Sequence, residues 1–129
     1  MIVVMLAEGY FEKTLPAARS RFGSFAVLRL DGDIYQSTWE ALENLYPFLN
    51  VGGYVIVDDY AGNVPTSFPC TITELKQVPA RHLCKTCTDW PGCRAAVDDF
   101  RKKENIQSPI IPAHHLPGEF VRGVWFQKT

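Results

Sequence analysis

Two pairs of aspartates are the residues most able to do chemistry. Asp31 and Asp33 follow the apolar run Phe25-Ala26-Val27-Leu28-Arg29-Leu30, and Asp58 and Asp59 follow a second run, Tyr54-Val55-Ile56-Val57. In open parallel sheets, ligands bind just beyond the carboxyl ends of the strands. Neighbouring strands lie about 4.8 Å apart, so acidic residues at two such ends can converge on one point. Three or four carboxylates gathered there repel one another unless a cation lies between them. An oxygen-only donor set suits Mg²⁺, Ca²⁺ or Mn²⁺ rather than zinc. A single strand-end aspartate is more simply a turn former or a helix N-cap. Two doublets after two apolar runs favour a metal or catalytic site. Asp33 is the weakest member, because capping the turn into the next helix, or binding backbone near Gln36, explains it as well.

The elements that must position these residues can be read from periodicity. Residues 25–30 and 54–57 are short, mostly apolar runs that read as strands, the latter buried. Ile2-Val3-Val4-Met5-Leu6 reads as another such strand. Between residues 30 and 54, Ser37 and Glu40 match a capping box, and Trp39, Leu42, Tyr46 and Leu49 give one apolar helical face. Pro47 should end that helix, and Asn50-Val51-Gly52-Gly53 reads as its exit turn. Strand, helix, strand makes a βαβ unit of a parallel sheet. Gly9 to Pro16 reads as a loop or a short helical turn. Cys93, Ala96, Val97 and Phe100 give a second amphipathic helix, closed by Arg101-Lys102-Lys103. Ile110-Ile111 and residues 121–127 read as two closing strands. The fold class is therefore α/β.

Composition fits this picture. The chain has 129 residues, 47% hydrophobic and 21% charged, which suits one globular domain (1–129) with a modest core. A net charge of −1 gives no electrostatic reason to expect nucleic acid as partner. No apolar run is long enough to span a bilayer. The apolar start has no basic region before it, which argues against a signal peptide and makes a cytoplasmic location the expectation.

The motifs resemble a known family. Gly9-Tyr10-Phe11-Glu12-Lys13-Thr14-Leu15-Pro16, Leu28-Arg29-Leu30-Asp31-Gly32-Asp33-Ile34-Tyr35-Gln36-Ser37-Thr38, Leu45-Tyr46-Pro47, Gly52-Gly53-Tyr54-Val55-Ile56-Val57-Asp58-Asp59-Tyr60 and Gly92-Cys93-Arg94-Ala95-Ala96-Val97-Asp98-Asp99-Phe100-Arg101 look like successive blocks of macrocin O-methyltransferases. The resemblance implies a Rossmann-like methyltransferase sheet, mostly parallel with helices on both faces. It implies S-adenosylmethionine as methyl donor, Mg²⁺ or another divalent cation, and a small hydroxylated natural product as acceptor. Asp31, Asp58 and Asp59 are then the metal ligands, with Asp31 also the general base.

Two departures from the family pattern matter. No glycine-rich strand-to-helix turn occurs, so the first two βα units are expected to be missing and no cofactor-binding residue can be named. Residues 61–91 separate two motifs that lie close together in the family. They read as an inserted loop near the site, or as a gene-model artefact. A sheet without its first units exposes an edge and an apolar face, which favours a homo-oligomer or a non-catalytic fragment. Asp31-Gly32-Asp33 after a strand also resembles the D-x-D of metal-dependent glycosyltransferases, although Asp58-Asp59 and the Gly-Cys-Arg block do not fit that reading.

The remaining candidates carry less. Cys70, Cys84, Cys87 and Cys93 could be four zinc ligands, but only one C-x-x-C spacing is present where structural sites show two paired clusters. His114-His115 reads as an exposed loop pair. Trp39, Trp125 and Phe126 read as core.

Overall fold

The computed structural model describes residues 4, 6–60, 91–112 and 123–129. Chain order is helix α1 (Phe11–Ala18), strand β1 (Phe25–Leu30), helix α2 (Tyr35–Leu45), strand β2 (Leu49–Val57), helix α3 (Pro91–Lys103), and strands β3 (Ile111–Pro112) and β4 (Val124–Gln127). The four strands form one mixed sheet in the order β1-β2-β4-β3. β1 and β2 are parallel, with Leu28 opposite Val55 and Leu30 opposite Val57. β4 runs antiparallel to both β2 and β3.

The alternation along the strands decides which face is buried. Leu28, Leu30, Val55, Val57, Val124 and Phe126 point one way and are buried. They pack against Leu42 of α2 and Val97 and Phe100 of α3. The opposite face carries Val27, Arg29, Tyr54, Ile56 and Trp125, which are exposed or half-buried, with Tyr54 and Trp125 edge to face at 5.6 Å. Among the described residues both α2 and α3 cover the same face. Trp39, read as core, is half-buried as Trp125 is, whereas Phe126 is fully buried.

Several local expectations change. α2 begins at Tyr35, two residues before Ser37, and has no side-chain N-cap. The Ser37 hydroxyl donates instead to the carbonyls of Gly32 and Ile34, and Gln36 donates to Glu40. The capping-box spacing is present, but its two side chains serve other partners. Asn50 to Gly53 belong to β2 rather than to an exit turn. Gly52 takes a left-handed φ of 82°, and its N–H donates to the Lys128 carbonyl at 2.7 Å. The register with β1 shifts here, so these glycines make a bulge within the strand. The segment after Gly9 is a two-turn helix despite Pro16, begun by Lys13 and Thr14 N–H groups donating to the Tyr10 carbonyl. Of the strand read at residues 2–6, Val4 and Leu6 are exposed and outside any strand. Ile2, Val3 and Met5, the segment 61–90 and His114-His115 lie outside the described residues.

α3 ends as its sequence suggests. Three cations occupy its last turn, where the helix dipole favours them. Asn105 has φ 53°, and the Ile106 N–H donates back to Arg101 O at 2.8 Å, a left-handed stop that Asn tolerates well. The other end meets α2 tightly. A Cβ on Gly92 would lie 2.7 Å from the Tyr35 backbone nitrogen. Backbone cannot swing aside, so Gly92→Ala is expected to destabilise the chain by about 1–3 kcal/mol, as overpacking does. A denaturant midpoint unchanged from wild type would contradict this close approach.

Candidate metal centre

The site follows from the pairing of β1 with β2. The Asp58 N–H donates to the Leu30 carbonyl at 3.0 Å, which locks the two strand ends side by side. Asp31 and Asp59 therefore leave the sheet at the same edge. Asp33 joins them through its backbone. It has φ 53°, and the Ile34 N–H folds back to Gly32 O, closing a three-residue turn of a rare and strained kind. Aspartate tolerates this conformation better than most residues. Gly32 lets the turn close, since a Cβ there would come within 3.1 Å of Ser37 Oγ.

The outcome is one carboxylate oxygen from each of Asp31, Asp33 and Asp59 within 4.8 Å of one another. Their repulsion is visible at Asp59. Burial, a hydrogen bond with Asp33 and the charges of Asp33 and Asp31 push its pKa from 3.8 up to about 6. Three oxygen donors at this separation fit a hard divalent cation, whose charge offsets the repulsion among them. Asp58, the third ligand expected by resemblance, is placed differently. Its Oδ2 accepts from Arg29 Nε at 2.9 Å and Nη2 at 2.7 Å on the open face of the sheet. Asp33, the weakest candidate on sequence, stands in the cluster with Asp31 and Asp59.

The acidic loops are tied to α3 by residues that the sequence reading did not single out. The Tyr60 hydroxyl donates to Asp98 at 2.6 Å, and the Tyr35 hydroxyl donates to Asp99 at 3.0 Å. Arg94 lies over the Tyr60 ring, 5.4 Å from its centroid. Burial and these carboxylates push both tyrosines up to about 12, so both remain donors at any ordinary pH. The available signal was positional: each tyrosine sits beside an acidic motif, and α3 carries its own Asp-Asp doublet.

Cys93 is 1% exposed within the core, and burial pushes its thiol up to about 11. It packs in the core cluster with Val97 and Phe100. The other three cysteines lie outside the described residues.

A βαβ unit with carboxylates gathered at both strand ends defines an α/β domain with a candidate ligand site at that end of the sheet. The profile of the macrocin-O-methyltransferase (TylF) family matches residues 2–76. The chain belongs to that family. It is 37% identical over 126 residues to the demethyldecarbamoylnovobiocin O-methyltransferase of Streptomyces niveus, covering 98% of this chain and 35% of that one. It is 39% identical over 107 residues to a dimethoxyrhamnosyl-tetracenomycin-C 4'-O-methyltransferase of Streptomyces olivaceus, covering 83% and 30%. Among solved structures, the O-methyltransferase NovP superposes with a TM-score of 0.62 at 37% identity, over 94% of this chain and 36% of that one. The calicheamicin enzyme CalS11, at 19% identity and a TM-score of 0.57, shares the fold. The chain thus spans about a third of the length of these relatives. The family decides between the two readings of Asp31-Gly32-Asp33, in favour of a methyltransferase sheet. Among the described residues no helix is long and apolar enough to cross a membrane.

Proposed function

We propose that this chain carries the cation-binding part of an O-methyltransferase that moves a methyl group from S-adenosylmethionine to a hydroxyl of a small natural product, most simply a sugar hydroxyl. One observation carries the reading: in a chain of this family, Asp31, Asp33 and Asp59 converge at the carboxyl ends of β1 and β2. The relatives' names supply the acceptor class, since one acts on demethyldecarbamoylnovobiocin and another on a rhamnosyl-tetracenomycin-C.

Asp31 and Asp59 would hold the cation, Mg²⁺ by preference, with Asp33 as third ligand in the arrangement described. Asp58 is one residue away and takes that place if Arg29 releases it. A hydroxyl is a poor nucleophile in water, and a bound divalent cation lowers its pKa and fixes its direction. Asp31, exposed where Asp33 and Asp59 are half-buried, would accept the hydroxyl proton at a carboxylate oxygen. Holding the acceptor oxygen in one place supplies much of the remaining rate. No residue of this chain is assigned to S-adenosylmethionine, because the sequence has no glycine-rich strand-to-helix turn.

The test is calorimetric titration of Mg²⁺, and then of S-adenosylmethionine and S-adenosylhomocysteine with and without Mg²⁺, into the 129-residue chain. Mg²⁺ binding that Asp59→Asn removes supports the cation site. Cofactor binding supports a working cofactor site in this chain or its oligomer. A folded chain that binds no divalent cation overturns the reading.

A further inference from the structure

We infer that the Asp98-Asp99 doublet of α3 is a double latch, in which Asp98 through Tyr60 and Asp99 through Tyr35 hold the two acidic loops at the spacing a divalent cation needs. This rests on the cation reading proposed above.

The geometry is symmetrical in its logic. The cluster is built from two separate loops, one leaving β1 (Asp31, Asp33) and one leaving β2 (Asp59). Each loop continues directly into a tyrosine: Tyr35 is two residues past Asp33, and Tyr60 is next to Asp59. The two hydroxyls donate to adjacent residues of one helix, Asp99 at 3.0 Å and Asp98 at 2.6 Å. α3 is itself rigidly seated, with Cys93, Val97 and Phe100 buried in the core and Gly92 against the α2 backbone. A rigid helix that grips both loops fixes the distance between them.

The sheet alone does not do this. The Asp58 N–H to Leu30 O bond aligns the strand ends, yet Asp33 and Asp59 both lie beyond the last paired residues, Leu30 and Val57. Three repelling carboxylates will spread in the cation-free chain unless something opposes them. Tyr60 is held from two sides, by the Asp98 carboxylate and by Arg94 over its ring, while Arg94 also lies 3.6 Å from Asp98. Tyr35 stacks on Trp39 at 6.0 Å with an interplanar angle of 7°. Both rings are therefore oriented before any ligand arrives. None of these groups belongs to the carboxylate cluster. They act as positioning residues, like the outer partners that orient metal ligands elsewhere.

The experiment uses the whole chain and Mn²⁺ as the probe, with free Mn²⁺ followed by electron paramagnetic resonance. Tyr60→Phe and Tyr35→Phe each remove one hydroxyl and no charge, and each keeps the ring. Any change in affinity therefore comes through geometry rather than through a lost negative charge near the cation. Each is expected to weaken Mn²⁺ binding roughly tenfold, within the range outer-shell substitutions show, with circular dichroism unchanged. Asp98→Asn keeps an oxygen that can accept from Tyr60 and is expected to bind within about threefold of wild type, as a partner that preserves the hydrogen bond should. Wild-type affinity in both tyrosine variants overturns the latch while the cation site stands. Failure of the wild-type chain to bind Mn²⁺ overturns both. If a tyrosine variant unfolds, Asp99→Asn and Asp98→Ala decide: loss in the alanine variant without loss in the asparagine variant supports the latch, and equal affinity in both overturns it.

Discussion

Asp59→Asn is expected to weaken divalent-cation binding on the order of 100-fold, about 2.8 kcal/mol, and at the same time to stabilise the cation-free chain at neutral pH. Both effects have one cause. The charge of Asp59 is disfavoured, its pKa raised from 3.8 to about 6 by burial and by Asp33 and Asp31. The folded chain therefore holds that proton more tightly than the unfolded chain does. Below about pH 3.8 the group is protonated in both states and the raised pKa has no effect on stability. As pH rises from there toward 6 the unfolded chain releases its proton first, so stability falls. Above about 6 the ionised carboxylate sits folded against its neighbours and the full penalty stands. An asparagine, which never ionises, removes the penalty. It also removes the charge that a cation needs, so cation binding and apo stability trade against each other at one residue, as is common at functional sites. Thermal melts of wild type and variant at pH 4 and pH 7, with and without Mg²⁺, read out every part of this. The difference between the two proteins should be small at pH 4, just above the unfolded carboxyl's value of 3.8. It should favour the variant at pH 7 without cation and the wild type at pH 7 with it.

The neighbouring aspartates sharpen the test. Asp33→Asn keeps a side chain that tolerates φ 53° while removing the charge, and should lower affinity as Asp59→Asn does. Asp58→Asn should lower it little, because Arg29 already holds that carboxylate. If Asp58→Asn instead matches Asp59→Asn and Asp33→Asn is silent, then the cation displaces Arg29 and Asp58 is the third ligand.

Which aspartate completes the trio marks the limit of the sequence reading. That Asp31 and Asp59 meet was legible, because an apolar run followed by an acidic doublet, twice, with an amphipathic helix between, favours a parallel βαβ arrangement. Motif alone treats Asp58 and Asp59 as a pair. What separates them is a cross-strand contact: Arg29 lies opposite Ile56, and its long side chain reaches Asp58 two residues further along the next strand, a diagonal pairing that depends on register. Asp33 ranked lowest on sequence for a related reason. A left-handed aspartate is invisible to periodicity, and the Ser37-Glu40 spacing suggested a helix start beyond it, whereas Ser37 in fact braces the Gly32 turn. Gly52-Gly53 misled because glycine marks turns and bulges alike, and only the shifted register with β1 distinguishes them. Pro16 concealed α1 in the same way, by breaking a pattern without breaking the helix.

Phe100→Ala should be the most damaging core substitution at the interface that carries the site, costing about 3–5 kcal/mol. Phe100 is 2% exposed. Its ring meets Trp39 edge-on at 6.0 Å and Tyr46 at 5.2 Å, so it joins α3 to α2 and to the turn that follows α2. Truncation leaves a cavity at that junction and removes two edge-to-face contacts as well as buried area. A domain of this size has only about 5–15 kcal/mol of stability in total, so the loss is a large share of it and the urea midpoint should fall steeply. Val27→Thr on the open face, 52% exposed, should change stability by under about 0.5 kcal/mol, as surface substitutions do. The comparison also separates fold from function. Phe100→Ala acts on the seat of α3, the helix that grips Tyr35 and Tyr60, so cation affinity should fall together with stability. The tyrosine-to-phenylalanine variants act on the grip itself, so there affinity should fall with stability nearly unchanged. If Phe100→Ala lowers stability and leaves Mn²⁺ affinity intact in the protein that remains folded, then α3 supports the sheet without setting the spacing of the acidic loops.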